Sequence, residues 1–178
     1  MIGSLISKAY LSLVSFSVLL FSNYVGNTVS FSPLSSQIVG DNIVFSAHLI
    51  NAFENDFDEI FKSGKDIKVW FELRIIQNNK IIHSESFNHQ VTWDSKNRVY
   101  LVDLQEQNYK TRTRSSKELK RLLSVVEYPF YKASHRGNAT VQITAHLPKI
   151  YMEEIDKELD LMVLWKLQKP VIKKEVHI

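Results

Sequence analysis

The sequence predicts a mainly β protein: an antiparallel β-sandwich-like domain with two or three helical insertions, preceded by an N-terminal apolar helix. Alternating apolar and polar segments, polar turns between them and an uncharged stretch near the amino terminus support this fold class. The chain has 178 residues, of which 44% are hydrophobic, enough for one core. Its net charge of +3 is too small to indicate nucleic-acid binding. The absence of cysteine excludes thiolate metal sites, cysteine nucleophiles and lipid attachment at a cysteine.

Residues 1–22 are predicted to be a signal peptide or an N-terminal membrane anchor. Lys8 precedes an uncharged run from Ala9 to Ser22, which is the order of the basic and apolar regions of an export signal. As a helix this run would be about 20 Å long, whereas the hydrocarbon core of a bilayer is roughly 30 Å thick. Export is therefore favoured over a conventional span. Neither Leu20-Phe21-Ser22 nor Tyr24-Val25-Gly26 is a good cleavage sequence, so an uncleaved anchor in the inner membrane stays open. We expect the protein in the periplasm or cell envelope.

Residues 23–178 are predicted to form a single β-rich globular domain, because no linker, repeat or low-complexity segment divides them. The strongest β pattern is a meander of three strands, at Ile67 to Ile76, Lys80 to Trp93 and Arg98 to Leu104. The turn between the first two strands contains Asn78-Asn79, and asparagine tolerates the positive φ of a tight hairpin. The first strand should turn Val69, Phe71, Leu73 and Ile75 toward the core. Further strands are predicted at Ile43 to Ile50, Gly137 to Leu147 and Leu161 to Leu167.

Three short helices are predicted within this domain. The first has an apolar face and ends at Gly64; the face comprises Phe53, Phe57, Ile60 and Phe61. The second begins with a capping box formed by Ser115 and Glu118 and stops before Pro129. Its buried face comprises Leu119, Leu122, Leu123 and Val126. The third is a short acidic helix from Tyr151 to Leu159.

The order of several features carries a family resemblance. An apolar-faced helix ends at Ser63-Gly64, a Trp93-Asp94 turn precedes Arg98 and Tyr100, and a Ser-capped helix, Leu147-Pro148 and a closing strand around Trp165 follow. From Phe31 to Val171 this order resembles the proteobacterial domain of unknown function 4390 family. The sequence departs from the family where Lys149-Ile150 stands in place of a second proline, and it lacks a further tryptophan beyond Trp165. The resemblance implies an exported or membrane-anchored envelope protein with no established activity, and it supplies no catalytic residues.

The sequence offers no signature of catalysis. It has no phosphate-binding glycine loop, nucleophile elbow or zinc-protease motif. His83 and His89 would share one face of a strand but lie about 20 Å apart, too far for one metal. A zinc site joining His48 and His146 from distant strands is an alternative to surface or hydrogen-bonded histidines. We therefore predict no catalytic residue, no metal and no cofactor.

A basic segment and one tryptophan are the candidate interaction residues. The basic segment carries six positive charges within 12 positions: Lys110, Arg112, Arg114, Lys117, Lys120 and Arg121. Such a segment suits an anionic lipid head group or an acidic partner, and a solvated loop and helix surface is the alternative. Strand alternation puts Trp70 opposite Phe71 and Leu73, so Trp70 could join a binding patch if no helix covers that face, and packing beneath an insertion is the alternative.

These observations favour a non-catalytic interaction module that binds another envelope protein or an anionic membrane surface. The alternatives are an envelope hydrolase or a small-molecule carrier that uses a cavity between the β layers. Nucleic acid is not an expected partner, because only Tyr109 adds an aromatic ring to the basic segment. A polar cavity that collects several histidines would favour the enzyme and a dry cavity the carrier. A filled core with an exposed Trp70 or a clustered basic face would favour the interaction module.

Overall fold

The structure, a computed structural model, describes residues 26–54, 57–131, 136–152 and 156–178. The protein is mainly β, with antiparallel sheets and two α-helices in these ranges. The apolar helix predicted at residues 9–22 lies outside the described residues.

The larger sheet has six antiparallel strands: β4 (Ile67–Gln77), β5 (Lys80–Asp94), β6 (Val99–Leu104), β7 (Tyr109–Thr113), β9 (Asn138–His146) and β12 (Val171–His177). Across the sheet they lie in the order β12-β9-β4-β5-β6-β7. The predicted meander of β4, β5 and β6 is confirmed. Asn78 and Asn79 form the two-residue turn between β4 and β5 with φ of 51° and 60°, the left-handed conformation that asparagine tolerates.

The smaller sheet is built around β3, which spans Asn42–Ile50. On it pair β1 (Ser30–Phe31), β2 (Ser35–Val39) and β8 (Val125–Tyr131), all antiparallel. Gly40, with φ of 59°, takes the first position of the two-residue turn between β2 and β3. A separate hairpin consists of β10 (Lys149–Met152) and β11 (Lys157–Asp160).

The two sheets turn their apolar faces toward one shared hydrophobic core. β4 alternates as predicted, with Val69, Phe71, Leu73 and Ile75 buried. Across the core, the rings of Phe87 on β5 and Tyr128 on β8 stack with their centroids 5.7 Å apart. Trp165 is buried at one end of this core, where its indole nitrogen donates to the Ala52 carbonyl oxygen over 2.8 Å.

Two α-helices cover the ends and side of the core: α1 spans Phe57–Phe61 and α2 spans Ser116–Ser124. The start of α2 is confirmed, because the Ser115 hydroxyl accepts a hydrogen bond from the Glu118 amide over 3.2 Å. The helix stops before Pro129, as predicted, but it ends earlier, at Ser124. The prediction that Val126 lies on its buried face is wrong, because Val126 and Pro129 belong to β8. Proline is accommodated there because β8 is an edge strand, where an amide donor is dispensable.

Two predictions near the carboxyl terminus are wrong. Tyr151 to Leu159 is not an acidic helix, because its described parts belong to the β10-β11 hairpin. Leu161 to Leu167 is not a strand: a 3-10 helix spans Leu161–Trp165, capped by the Asp160 carboxylate, which accepts from the Met162 amide over 2.9 Å. This segment buries adjacent apolar residues, which a strand with one core face cannot do. The last strand is β12, which begins after Pro170.

Candidate functional site

Trp70 lies half-buried on the face of the larger sheet that points away from the core, here called the outer face. Its cross-strand neighbours there are Asn88 on β5 and His146 on β9. The Lys68 ammonium lies 6.0 Å from the centroid of the Trp70 ring. Both α-helices bury their apolar residues in the core, on the opposite side of the sheet. Within the described ranges, neither α-helix therefore covers Trp70.

A polar row crosses the outer face from β4 to β7. Its members are successive cross-strand partners and point to one side of the sheet: Lys68, Gln90, Asp103 and Lys110. The Lys110 ammonium lies 3.0 Å from the Asp103 carboxylate. Arg112 pairs with exposed Leu101 in the neighbouring row. The structure thus brings two members of the basic segment onto the face that carries Trp70.

The other four members of the basic segment lie elsewhere, so the six charges do not form one patch. Lys120 reaches back to α1, with its ammonium 3.2 Å from the Asp58 carboxylate. Arg121 pairs with Glu118, three residues before it on α2, over 2.8 Å. Arg114 and Lys117 are exposed, and neither forms an ion pair with a described residue.

The basic side chains of this segment lower the pKa of two neighbouring carboxyl groups. Burial raises the pKa of Asp58, but hydrogen bonds from Ser116 and Lys120 outweigh burial and hold that pKa below its usual value. The hydrogen bonds from Arg121 lower the pKa of Glu118. Both carboxylates are thus ionised near neutral pH and neutralise the basic side chains beside them.

A cavity of about 300 Å³ opens between β7, α2 and the start of β8. Tyr109, Thr111 and Arg121 line it, together with the apolar Leu122 and the carboxylate of Glu127. None of its lining residues is a histidine. The cavity lies beside the sheet edges, whereas a carrier was expected to hold its ligand between the two layers.

A buried polar pair joins β5 to the 3-10 turn Gln105–Gln107. The side chains of His89 and Glu106 are both 0% exposed, and Nε2 of His89 lies 3.0 Å from each carboxylate oxygen. Nδ1 of the same ring lies 3.1 Å from the Leu123 carbonyl oxygen. The sequence gives no local signal for this pair, because its partners are 17 residues apart on separate elements.

A second polar cluster lies near the start of β5, on the face of the strand that also carries His89. The Tyr128 hydroxyl donates to the Glu85 carboxylate, and Nε2 of His83 lies 2.7 Å from that hydroxyl. Burial and the hydrogen bond to Glu85 raise the pKa of Tyr128 well above its usual value. His83 and His89 share one face of β5, as predicted, and each has its own hydrogen-bond partners.

The alternative zinc site formed by His48 and His146 is wrong. Each histidine follows a buried alanine in its strand, Ala47 on β3 and Ala145 on β9, and therefore points away from the core. Because the two sheets face each other across that core, these histidines lie on opposite sides of the protein. Burial, followed by the positive charge of Lys169, lowers the pKa of His146. Across the described part of the chain, no three metal-ligating side chains are grouped.

Comparisons with family models and with curated proteins add no relatives to this description. No helix in the described ranges combines the length and the hydropathy needed to cross a membrane. The resemblance to the domain of unknown function 4390 family stays a prediction. A scan of the chain against models of known protein families finds no match, and no curated protein matches it.

Proposed function

We propose that this chain is an exported or membrane-anchored envelope protein, with an N-terminal apolar helix and a β-sandwich-like domain. The domain acts as a non-catalytic interaction module that binds another envelope protein. One observation carries this proposal: the outer face combines half-buried Trp70 with Lys68, Lys110 and Arg112, and neither α-helix of the described ranges lies over it. Tryptophan and arginine are among the residues that contribute most to protein interfaces.

The shape of this surface supports a protein partner. An open sheet face offers a broad contact area, whereas small-molecule sites are concave and bury most of their ligand. β7 also ends the larger sheet, so its outward backbone groups can pair with a strand of a partner. Leu101 and Tyr109 are exposed on the two faces next to this edge and add apolar area.

The alternative functions have weaker support. For a carrier, the cavity beside α2 is the available space, but charged and hydroxyl side chains line much of it. For a hydrolase, the nearest arrangement is the cluster of His83, Tyr128 and Glu85. The raised pKa of Tyr128 keeps its hydroxyl protonated at neutral pH, which makes it a poor nucleophile. An anionic membrane surface is the alternative partner of the outer face.

Fractionation of natively expressed protein, followed by intact-mass analysis, tests the location. A soluble envelope species without residues 1–22 would support a cleaved signal peptide and a diffusible module. A full-length species in the membrane fraction would support an anchor at residues 9–22. A full-length species in the cytosol would refute both forms of the proposal.

Site-specific photo-cross-linking in intact cells tests the interaction. A photoreactive residue at Gln90, on the outer face, should give a discrete protein adduct. The matched control is Ile50, which is exposed at the end of β3 on the smaller sheet. Trp70→Ala and Arg112→Glu should each reduce the Gln90 adduct at least about tenfold, as truncation of central interface residues does. Equal adducts at Gln90 and Ile50, or cross-links to lipid alone, would refute the protein partner.

A further inference from the structure

The described chain begins against one end of the β domain, next to the 3-10 helix Leu161–Trp165. The Asn27 amide donates to the Leu164 carbonyl oxygen over 2.7 Å, and its side-chain amide donates to the Glu54 carbonyl oxygen over 3.2 Å. A Cβ on Gly26 would lie 2.5 Å from the Val163 carbonyl oxygen, so the chain passes too close to the 3-10 helix for a side chain at this position. The start of the domain is therefore held to this end, here called the tether end.

Only three residues separate the predicted anchor from this packed position. From Ser22 to Gly26 an extended chain spans at most about 14 Å, at up to about 3.6 Å per residue. If residues 9–22 are held in a bilayer, the tether end must therefore lie close to the membrane surface. The opposite end cannot take its place, because Gly26 and Asn27 are fixed to the 3-10 helix.

The strand register identifies the other loops at the tether end. β4 begins where β5 ends, β6 begins where β7 ends, and β12 begins where β9 ends. The cross-strand pairs that establish this are Ile67 with Val91, Tyr100 with Thr113, and Thr144 with Val171. The loops before β4, between β5 and β6, after β7 and before β12 therefore share one end of the domain.

These loops carry an excess of exposed positive charge. Among the described residues of these loops, the exposed cations are Lys62, Lys96, Arg98, Arg114, Lys166 and Lys169, whereas the exposed carboxylates are Glu54, Glu59 and Asp66. The β10-β11 hairpin, which starts and ends at the same end, adds the ion pair of Lys149 with Glu158 and the exposed Asp156. Three further described carboxylates at this end are occupied within the fold. Asp58 accepts from Ser116 and pairs with Lys120. Asp94 accepts from the amides of Lys96 and Asn97 over 3.0 Å each, and Asp160 caps the 3-10 helix. Among the described residues at the end nearest the predicted anchor, exposed cations thus outnumber exposed carboxylates.

An exposed leucine projects from the same end. Leu167 is 65% exposed and lies in the loop that also holds Lys166 and Lys169. Lys166 and Leu167 both adopt left-handed φ values, 52° and 58°, a conformation that non-glycine residues rarely take. An apolar tip flanked by lysines matches the boundary between lipid head groups and acyl chains, where leucine enters the apolar layer and lysines reach phosphates.

From these observations we propose that the anchored protein docks its tether end on the anionic phospholipid surface of the membrane. Leu167 enters the head-group region, and the six exposed cations of the tether-end loops face the lipid phosphates. The inference rests on the anchored form of the proposed function. Docking fixes the orientation of the domain and directs the opposite end, with the turns at Gly40 and Asn78-Asn79, away from the bilayer.

Site-specific fluorescence in lipid nanodiscs tests the docking. Because the chain has no cysteine, Leu167→Cys creates a unique site for an environment-sensitive label. The matched control is Ile38→Cys, which is 63% exposed at the opposite end. The full-length protein is inserted into nanodiscs of phosphatidylcholine with or without phosphatidylglycerol. We expect lipid-borne spin labels to quench the label at 167 at least about threefold more than the label at 38, as interfacial burial requires.

Charge variants then separate docking from simple proximity. Lys96→Glu with Lys169→Glu should reduce quenching at 167 in anionic nanodiscs, and 0.5 M salt should do the same, at a Debye length of about 4 Å. The matched pair Lys80→Glu with Lys173→Glu, both exposed and away from the tether end, should leave quenching unchanged. Equal quenching at 167 and 38 in inserted protein, or no effect of the first pair, would overturn the docking and leave the anchor intact. Failure of the full-length chain to insert would refute the anchor and, with it, this inference.

Discussion

Replacement of Glu106 measures the energetic importance of the buried pair between β5 and the turn that follows β6. The imidazole of His89 has an accepting oxygen at each nitrogen: the Leu123 carbonyl at 3.1 Å and the Glu106 carboxylate at 3.0 Å. Both side chains are fully buried, so water cannot replace a lost partner. Glu106→Ala leaves one ring nitrogen without a partner. We expect it to cost about 3–5 kcal/mol of unfolding free energy, the range for breaking a buried pair.

A matched variant separates hydrogen bonding from charge. In Glu106→Gln, a neutral imidazole can donate from Nδ1 to the Leu123 carbonyl oxygen and accept at Nε2 from the new amide. Every polar atom of the pair then keeps a partner, so the expected cost is below about 1.5 kcal/mol. The double variant His89→Phe with Glu106→Leu removes both polar side chains of the pair but also the donor to the Leu123 carbonyl oxygen, so it should recover part of the loss.

Urea unfolding followed by tryptophan fluorescence and circular dichroism gives these free energies, and thermal unfolding provides a second measurement. At about 2–4 °C per kcal/mol for a chain of this size, Glu106→Ala should lower Tm by about 6–20 °C. Glu106→Gln should lower it by less than about 6 °C. The reasoning is refuted if Glu106→Ala costs under about 1 kcal/mol, or if the alanine and glutamine variants are equally destabilised.

Three further predictions concern other contacts. Because the pKa of Asp58 is lowered by folding, this carboxylate stabilises the fold at a pH above its unfolded-state pKa and ceases to do so as the pH falls through its folded-state pKa. Lys120→Ala should therefore cost about 0.5–1 kcal/mol of unfolding free energy at pH 7 and less below about pH 4, as measured by urea titrations. A cost that does not change with pH would contradict this. Tyr128→Phe should cost about 1 kcal/mol at pH 7. Because the pKa of Tyr128 is raised, wild-type stability should fall above about pH 10, and an equally steep fall in the phenylalanine variant would exclude Tyr128 as the cause. Gly26→Ala should cost about 1–3 kcal/mol by calorimetry, because its Cβ meets the Val163 carbonyl oxygen, and an unchanged Tm would show that the start of the domain is not held there.

The fold could be predicted from the sequence where local pattern and tertiary environment agree. Alternation in β4 identified its core face because one side of that strand packs inward and the other side is left half-buried. Asn78-Asn79 marked the first hairpin, because the left-handed backbone of that turn is a local requirement. Ser115 marked the start of α2 for the same reason, since the cap is completed three residues later at Glu118.

Prediction failed where the surroundings determined the structure. Val126 continues a helical pattern with Leu119 and Leu122, but pairing with β3 draws it into β8. Leu161–Trp165 reads as an apolar strand, but a compact 3-10 helix buries its adjacent apolar residues at the end of the core. A short apolar run fits either structure, and only the space available in the core decides between them.

The sequence by itself determined the β-rich class, the meander, the turn residues and the side of β4 on which Trp70 lies. These properties depend on neighbours within a few positions, whose spacing sets which side chains share a face. Only the tertiary structure decided that the basic segment is divided, that Arg112 shares a face with Trp70, and that His89 meets Glu106. Those contacts join separate strands and turns. They depend on strand register and on the packing of two sheets, which bring together residues that are far apart along the chain. The spacing of neighbouring residues does not predict such contacts.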